Sequence, residues 1–170
     1  MIELRGINMG DLPLYEALLT DPVMMSELGG PLPRQGLREK LQRIVDEVRD
    51  GRTWYSVIVA DGPGGDPAGT VCIWNHVWNE ETISEIGWKV LPGYQRRGLA
   101  SGAVRSILLR ARSEDRWQVI HAFPGVTNEA SNAICRKLGF SKVEELDIDY
   151  AGRALRGNHW VLDLEAGNPT

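Results

Sequence analysis

The stretch GWKVLPGYQRRGLAS, residues 87 to 101, constrains the chain more than any other. An apolar run closes at Pro92, and Gln95, Arg96 and Arg97 follow at once. Past Gly98 the apolar residues Leu99, Ala103, Ile107, Leu108 and Ala111 recur at helical spacing. A strand therefore hands over to a helix across a polar, cationic turn. The first turn of a helix exposes unpaired N–H groups and carries partial positive charge. A glycine there lets a ligand oxygen approach the backbone closely. Two arginines at such a place, where cations are locally unfavourable, point to a bound anion of the pyrophosphate kind. The chain as a whole is acidic, with a formal net charge of −4, so the basic spot is local. The same balance argues against nucleic acid as a partner.

The other elements set this turn in an α/β domain. IELR (2–5) alternates as a strand. Residues 11–21 read as a short helix with Asp11 as N-cap and Pro13 in its first turn, and Pro22 stops it. Residues 24–33 form a loop. Leu37, Leu41, Ile44, Val45 and Val48 mark a second helix ending at Gly51. Strands at 54–60, 68–78 and 82–91 follow as an antiparallel meander. The helix from Gly98 leads to a strand at 117–123, parallel to strand 82–91 as a βαβ crossover requires. A helix at 128–138, between Asn128 and Gly139, precedes two strands, 140–150 and 153–165, joined at Ala151-Gly152, and a frayed tail. The order β-α-α-β-β-β-α-β-α-β-β predicts a mixed central sheet of about seven strands with helices on its faces.

With 170 residues, 42% of them hydrophobic, the chain suits one domain, 1–170, around a sizeable core. No apolar run reaches the ~18 residues of a membrane helix, and the N-terminus lacks a signal-peptide pattern, so no membrane partner is expected. Cys72 and Cys135 show neither metal-ligand spacing nor a disulfide framework. The reading is a cytoplasmic protein with reduced thiols and no metal. Six tryptophans predict that some line a cleft or an interface, and leave room for a homodimer.

A Walker A loop needs Gly-Lys-Ser/Thr, and a dinucleotide fingerprint needs G-x-G-x-x-G; neither is present. Gln95-x-x-Gly98-x-Ala100, after a strand ending Val90-x-Pro92, instead resembles the GNAT superfamily of acyl-CoA-dependent N-acyltransferases. A second family pattern, N-x-x-A/S-x-x-x-Y-x-x-x-G-F, is met by Asn128, Ser131, Gly139 and Phe140, with Cys135 where the family has tyrosine. The resemblance runs over residues 2–164 and is sharp over 85–140. DPVMMSELGGPLP resembles, more loosely, the branch that acetylates ribosomal-protein N-termini and small amines.

The resemblance implies a GNAT fold in which strands 82–91 and 117–123 splay apart around the pantetheine arm of acetyl-CoA. It implies backbone contacts to that arm at Trp88, Lys89 and Val90, and a pyrophosphate site at Gln95, Arg96, Arg97, Gly98, Leu99, Ala100 and Ser101. Asn128 and Asn132 would flank the arm. Transfer to an amine requires a base, a donor for the developing oxyanion and an acid for the leaving thiolate. Glu85 is the candidate base, directly or through a water, and the Val90 N–H the oxyanion donor. Cys135 or Ser131 are candidate acids. The alternative for Cys135 is a small buried apolar residue, and for Glu85 a surface carboxylate. Met25, Trp74, Trp78 and Glu81, with Met24 and Glu80, would form the acceptor pocket, where aromatics and acids suit a cationic amine. His76, His121 and His159 carry no assigned role. The implied activity is acetyl transfer from acetyl-CoA to a small-molecule amine or a protein N-terminus, by direct attack in a ternary complex. The alternative is a non-catalytic CoA-binding sensor.

Overall fold

The structure, a computed structural model, describes residues 2–165, and the predicted frayed tail lies outside them. The chain forms β1 (Glu3–Gly6), α1 (Leu12–Thr20), α2 (Leu37–Arg49), β2 (Trp54–Val59), β3 (Pro67–Trp78), β4 (Glu81–Val90), α3 (Leu99–Ser113), β5 (Val119–Ala122), α4 (Glu129–Lys137), β6 (Ser141–Tyr150) and β7 (Arg153–Asp163). This is the expected order, with ends moved by a residue or two. Asp11 differs from expectation: it stands before α1 without capping it. A 3-10 turn, Met9–Asp11, precedes the helix, and there Asp11 completes a capping box with Asn8. Its carboxylate also accepts two bonds from Arg5, at 2.6 and 2.9 Å.

The strands make one sheet, ordered β1-β2-β3-β4-β5-β7-β6. All neighbours are antiparallel except β4 and β5. Two hairpins use two-residue turns with positive φ at both positions, Asn79-Glu80 and Ala151-Gly152, whose twist matches that of the flanking strands. Side chains alternate across the sheet. Ile86, Val90, Ile120 and Leu162 pack on one face with Ala103, Val104, Ile107 and Leu108 of α3 and with Leu138 beyond α4. Val57 and Val59 pack on the other with Leu14 and Leu18 of α1 and Leu41 of α2. Among the described residues no helix is long and apolar enough to cross a membrane. No group of three or more His, Cys, Asp or Glu among them is placed to hold a metal ion.

The parallel pair is where the sheet opens. β4 and β5 meet at a single register position, Glu85 against His121. Beyond it they separate, and a cleft of about 850 Å³ lies between them.

Candidate active site

One wall of the cleft is backbone. The Leu91 N–H donates to Ala68 C=O at 2.8 Å, which fixes the phase of the β3–β4 ladder. Because antiparallel ladders alternate, Trp88 and Val90 turn their N–H and C=O groups away from β3 and into the splay. The Val90 carbonyl accepts from Gln95 Nε2 at 2.9 Å. Lys89 lies in the other phase: its backbone belongs to the ladder with Thr70, and its side chain points to the α1/α2 face.

The turn after β4 delivers the helix start. Arg96 and Gly98 both take positive φ, +60° and +77°, and so fold the chain sharply into α3. The first backbone bond of that helix runs from Gly102 N–H to Gly98 C=O, leaving the N–H groups of Leu99, Ala100 and Ser101 outside the ladder. A Cβ built on Gly98 would meet nothing within 4 Å, so the space over these donors is open. Arg96 and residues Gly98 to Ser101 line the cleft, but Arg97 does not. Its guanidinium pairs with Asp61 at 2.8 Å and lies over the Tyr94 ring. A nearby carboxylate answers its charge.

Across the cleft, α4 presents Asn128 and Ser131. Asn128 caps the helix, accepting from Ser131 N–H at 3.1 Å. Asn132 is a structural node and is buried. It donates to Gly125 and Asn128 carbonyls and accepts from Asn158 and Trp160, which uses its full bonding capacity. Cys135 is also enclosed, packed in the core behind α4, and burial pushes its thiol up to about 12. The structure thus places Asn132 and Cys135 away from the cleft. Both lie on the inward face of α4, toward the core.

The remaining wall is made of side chains on the α1/α2 face. Glu85 projects here, 20% exposed, and its Oε2 lies 2.7 Å from His76 Nε2. Burial raises the Glu85 carboxyl above its ordinary range, against the opposing pull of His76 and Lys89. Trp74, the cross-strand partner of Glu85, lies across Gly87, where an added Cβ would come within 3.2 Å of the indole. Trp78 packs against Phe123 and His159, at centroid distances of 5.4 and 4.9 Å. His121 Nδ1 and His159 Nε2 are 2.8 Å apart, and burial lowers both imidazoles below their ordinary value. Trp74 and Trp78 therefore line the cleft as expected of an acceptor wall, but Met25 and Glu81 do not. Met25 is fully buried in the α1/α2 core, and its neighbour Met24 faces the cleft. Glu81 is exposed at the far end of β4. The six tryptophans divide between this cleft (Trp74, Trp78, Trp88) and the core (Trp54, Trp117, Trp160), so their number no longer argues for a subunit interface.

His76 and Phe123 line the cleft and carry no role in the sequence reading; His121 and His159 pack behind Trp78 and Phe123. A signal for His76 was present: a two-residue turn at Asn79-Glu80 fixes the β3–β4 register. It sets His76 two positions from the partner of Glu85, on the same face.

A GNAT acetyltransferase domain model matches residues 2–141. The chain belongs to the GNAT acetyltransferase family, and with it to the acyl-CoA-dependent N-acetyltransferases. No curated protein sequence matches it. Similar solved structures include a GNAT-family acetyltransferase from Bacillus anthracis, 18% identical, TM-score 0.77, covering 96% of this chain and 95% of that one. An acetyltransferase from Salmonella typhimurium that modifies the N-terminal serine of ribosomal protein L7/L12 is 17% identical, with TM-score 0.77 and coverage of 95% and 94%. Spermidine N-acetyltransferase from Vibrio cholerae, solved with CoA and spermine, is 17% identical, with TM-score 0.78 and coverage of 96% of each chain.

Proposed function

We propose that this chain, as a single cytoplasmic domain, moves an acetyl group from acetyl-CoA to the nitrogen of a primary amine by direct attack in a ternary complex. The observation that carries this reading is the pairing of two backbone donor sets on one cleft. The N–H groups of Trp88 and Val90 face the splay between β4 and β5, and those of Leu99, Ala100 and Ser101 open beside it with free space over Gly98. A pantetheine arm needs the first set, and a diphosphate needs the second. The thioester of acetyl-CoA supplies the activated acyl group.

The residues act as follows. Glu85, raised by burial and held by His76, accepts a proton from the incoming ammonium, directly or through a water. The Val90 N–H faces the oxygen that gains charge during transfer. Ser131 is the hydroxyl that α4 offers to the leaving sulfur, since Cys135 is enclosed and Tyr94 already donates to Asp66 at 3.0 Å. A small-molecule amine and a protein N-terminus both suit this chemistry.

Acetyl-CoA should raise the melting temperature of the protein, while ATP and NAD should not. Thiol release from acetyl-CoA should then depend on an added amine. A protein that binds acetyl-CoA tightly yet releases no thiol with any amine of a broad panel is a non-catalytic sensor of the same fold, and the catalytic assignment falls.

A further inference from the structure

The charged groups of the cleft are unevenly committed. Glu27 accepts from Thr127 Oγ1 at 2.7 Å. Asp147 accepts from Arg156 at 3.2 Å, and Asp149 from the Gly152 N–H at 3.1 Å. Glu85 is engaged by His76. Each carboxylate on the cleft wall already has a donor. Lys89 is the reverse case. It is half-buried on the face of β4 that carries Glu85, and its ammonium lies over the Tyr150 ring, 5.9 Å from the centroid. Among the described residues it forms no ion pair.

Behind Lys89 lies a second chamber of about 740 Å³, under α2. Trp74, Lys89 and Tyr150 line both spaces and form the partition between them. The chamber's charged lining is Lys40, Arg52, Lys89 and Arg116 against Glu47 alone. Arg52 is paired with Asp50 at 3.3 Å and Arg116 donates to the Gly51 carbonyl, which leaves Lys40 and Lys89 to set the sign of the chamber, one that favours an anion and opposes the second ammonium of a polyamine.

We propose that the acceptor is an amine that also carries a carboxylate, its nitrogen at Glu85 and its carboxylate on Lys89 at the mouth of the second chamber. The proposal rests on the acetyl-transfer reading and narrows it. Glu85 and Lys89 are four residues apart on one strand face, about 13 Å between their Cα atoms, and their side chains close part of that gap. A dipeptide bridges the remainder. A single α-amino acid, with one carbon between amine and carboxylate, is short, and spermidine has the wrong charge at its far end.

The test uses phenylalanyl-glycine, its C-terminal amide and spermidine as acceptors for the full-length protein. The wild type should prefer the free acid over the amide by roughly 10- to 100-fold in kcat/KM, the range expected for one charge-assisted contact, and should use spermidine least. Lys89→Met should bring the acid down to the level of the amide. The variant also changes the surroundings of Glu85, but for both dipeptides alike, so the ratio is the readout. Equal use of acid and amide by the wild type overturns the proposal, as does an unchanged ratio in Lys89→Met. Binding of N-acetyl-phenylalanyl-glycine and its amide to the CoA-loaded protein, by calorimetry, makes the same comparison without turnover. Equal binding sinks the carboxylate assignment alone. A retained preference without any acetyl transfer leaves Lys89 in place and removes the catalytic reading.

Discussion

The two faces of the sheet are built by different means. On the α3/α4 side the cleft offers backbone donors: Trp88 and Val90 in the splay, and Leu99 to Ser101 at the helix start. On the α1/α2 side it offers side chains gathered from β3, β4 and β6, with Glu85, His76 and Trp78 among them. The difference teaches where specificity can reside. Backbone donors are set by chain geometry, and most substitutions leave them intact. Side-chain walls change with every residue, so one face can keep a common cofactor while the other selects the acceptor.

The comparison breaks most sharply at Gly98. Glutamate there would put a side chain and a negative charge into the open space above the helix donors, at a φ of +77° that any L-residue resists. Gly98→Glu should abolish the thermal shift by acetyl-CoA and all thiol release. It should leave binding of an acceptor-side ligand within about twofold, as expected for an unperturbed distant site. If acetyl-CoA affinity survives, the diphosphate is not held by the start of α3.

The opposite face is probed at Glu85. Glu85→Gln should lower kcat about 100-fold, in the range for loss of a positioned base, with acetyl-CoA affinity unchanged. The sign of its pH dependence follows from burial. The folded protein holds this proton to higher pH than the unfolded chain does. Activity should therefore appear as pH rises through the raised value. Stability from this group is present at low pH and is lost as pH climbs from the unfolded to the folded value. Glu85→Gln should then melt no lower than the wild type at pH 8, despite its loss of rate. His76 lowers the Glu85 pKa, so His76→Ala should move the rising limb of the rate profile to higher pH. A limb that stays in place would mean that Glu85 is not the titrating base.

The same contrast explains what could be read from the sequence. Pro92, Gln95, Gly98 and Ala100 occupy one short segment and report a backbone event, the passage from strand to helix, so that turn was legible. So was the element order, whereas the β4–β5 splay came with the family resemblance. The acceptor half depends on which of two faces each residue occupies. The register of β3 against β4 hangs on Asn79-Glu80, where Glu80 holds φ +67° without the usual glycine, and the turn signal was correspondingly weak. Met24 and Met25 show the scale of the problem: adjacent residues with similar chemistry, one on the cleft and the other fully buried. Arg97 was read as a cofactor cation because its partner, Asp61, lies 36 positions away in a loop. Asn132 is implied at the cofactor by the family resemblance alone and lies buried instead, while Cys135 meets the small buried apolar reading.

The smallest expected effect concerns the part of the acceptor face that is backbone after all. The loop between α1 and α2 closes over the cleft through Met24, Ser26, Glu27 and Leu28. One residue from the β6–β7 hairpin holds it. Arg153 donates to the carbonyls of Leu28 at 3.2 Å and Pro31 at 2.9 Å, and also to that of Gly30. Gly29, between these acceptors, runs so close to the arginine stem that an added Cβ would come within 2.7 Å of Arg153 Cδ. The planar fork suits divergent carbonyls in a way a lysine cannot copy. Arg153 does not line the cleft, so its removal should loosen the loop and leave the chemistry intact. Arg153→Ala should raise the acceptor KM about three- to tenfold, the equivalent of one net hydrogen bond, with kcat and acetyl-CoA affinity within twofold. Arg153→Lys should recover only part of that loss. A fall in kcat with unchanged KM would show that the loop organises the reacting groups themselves, and the acceptor face would then be less separable from the chemistry than the contrast between the two faces implies.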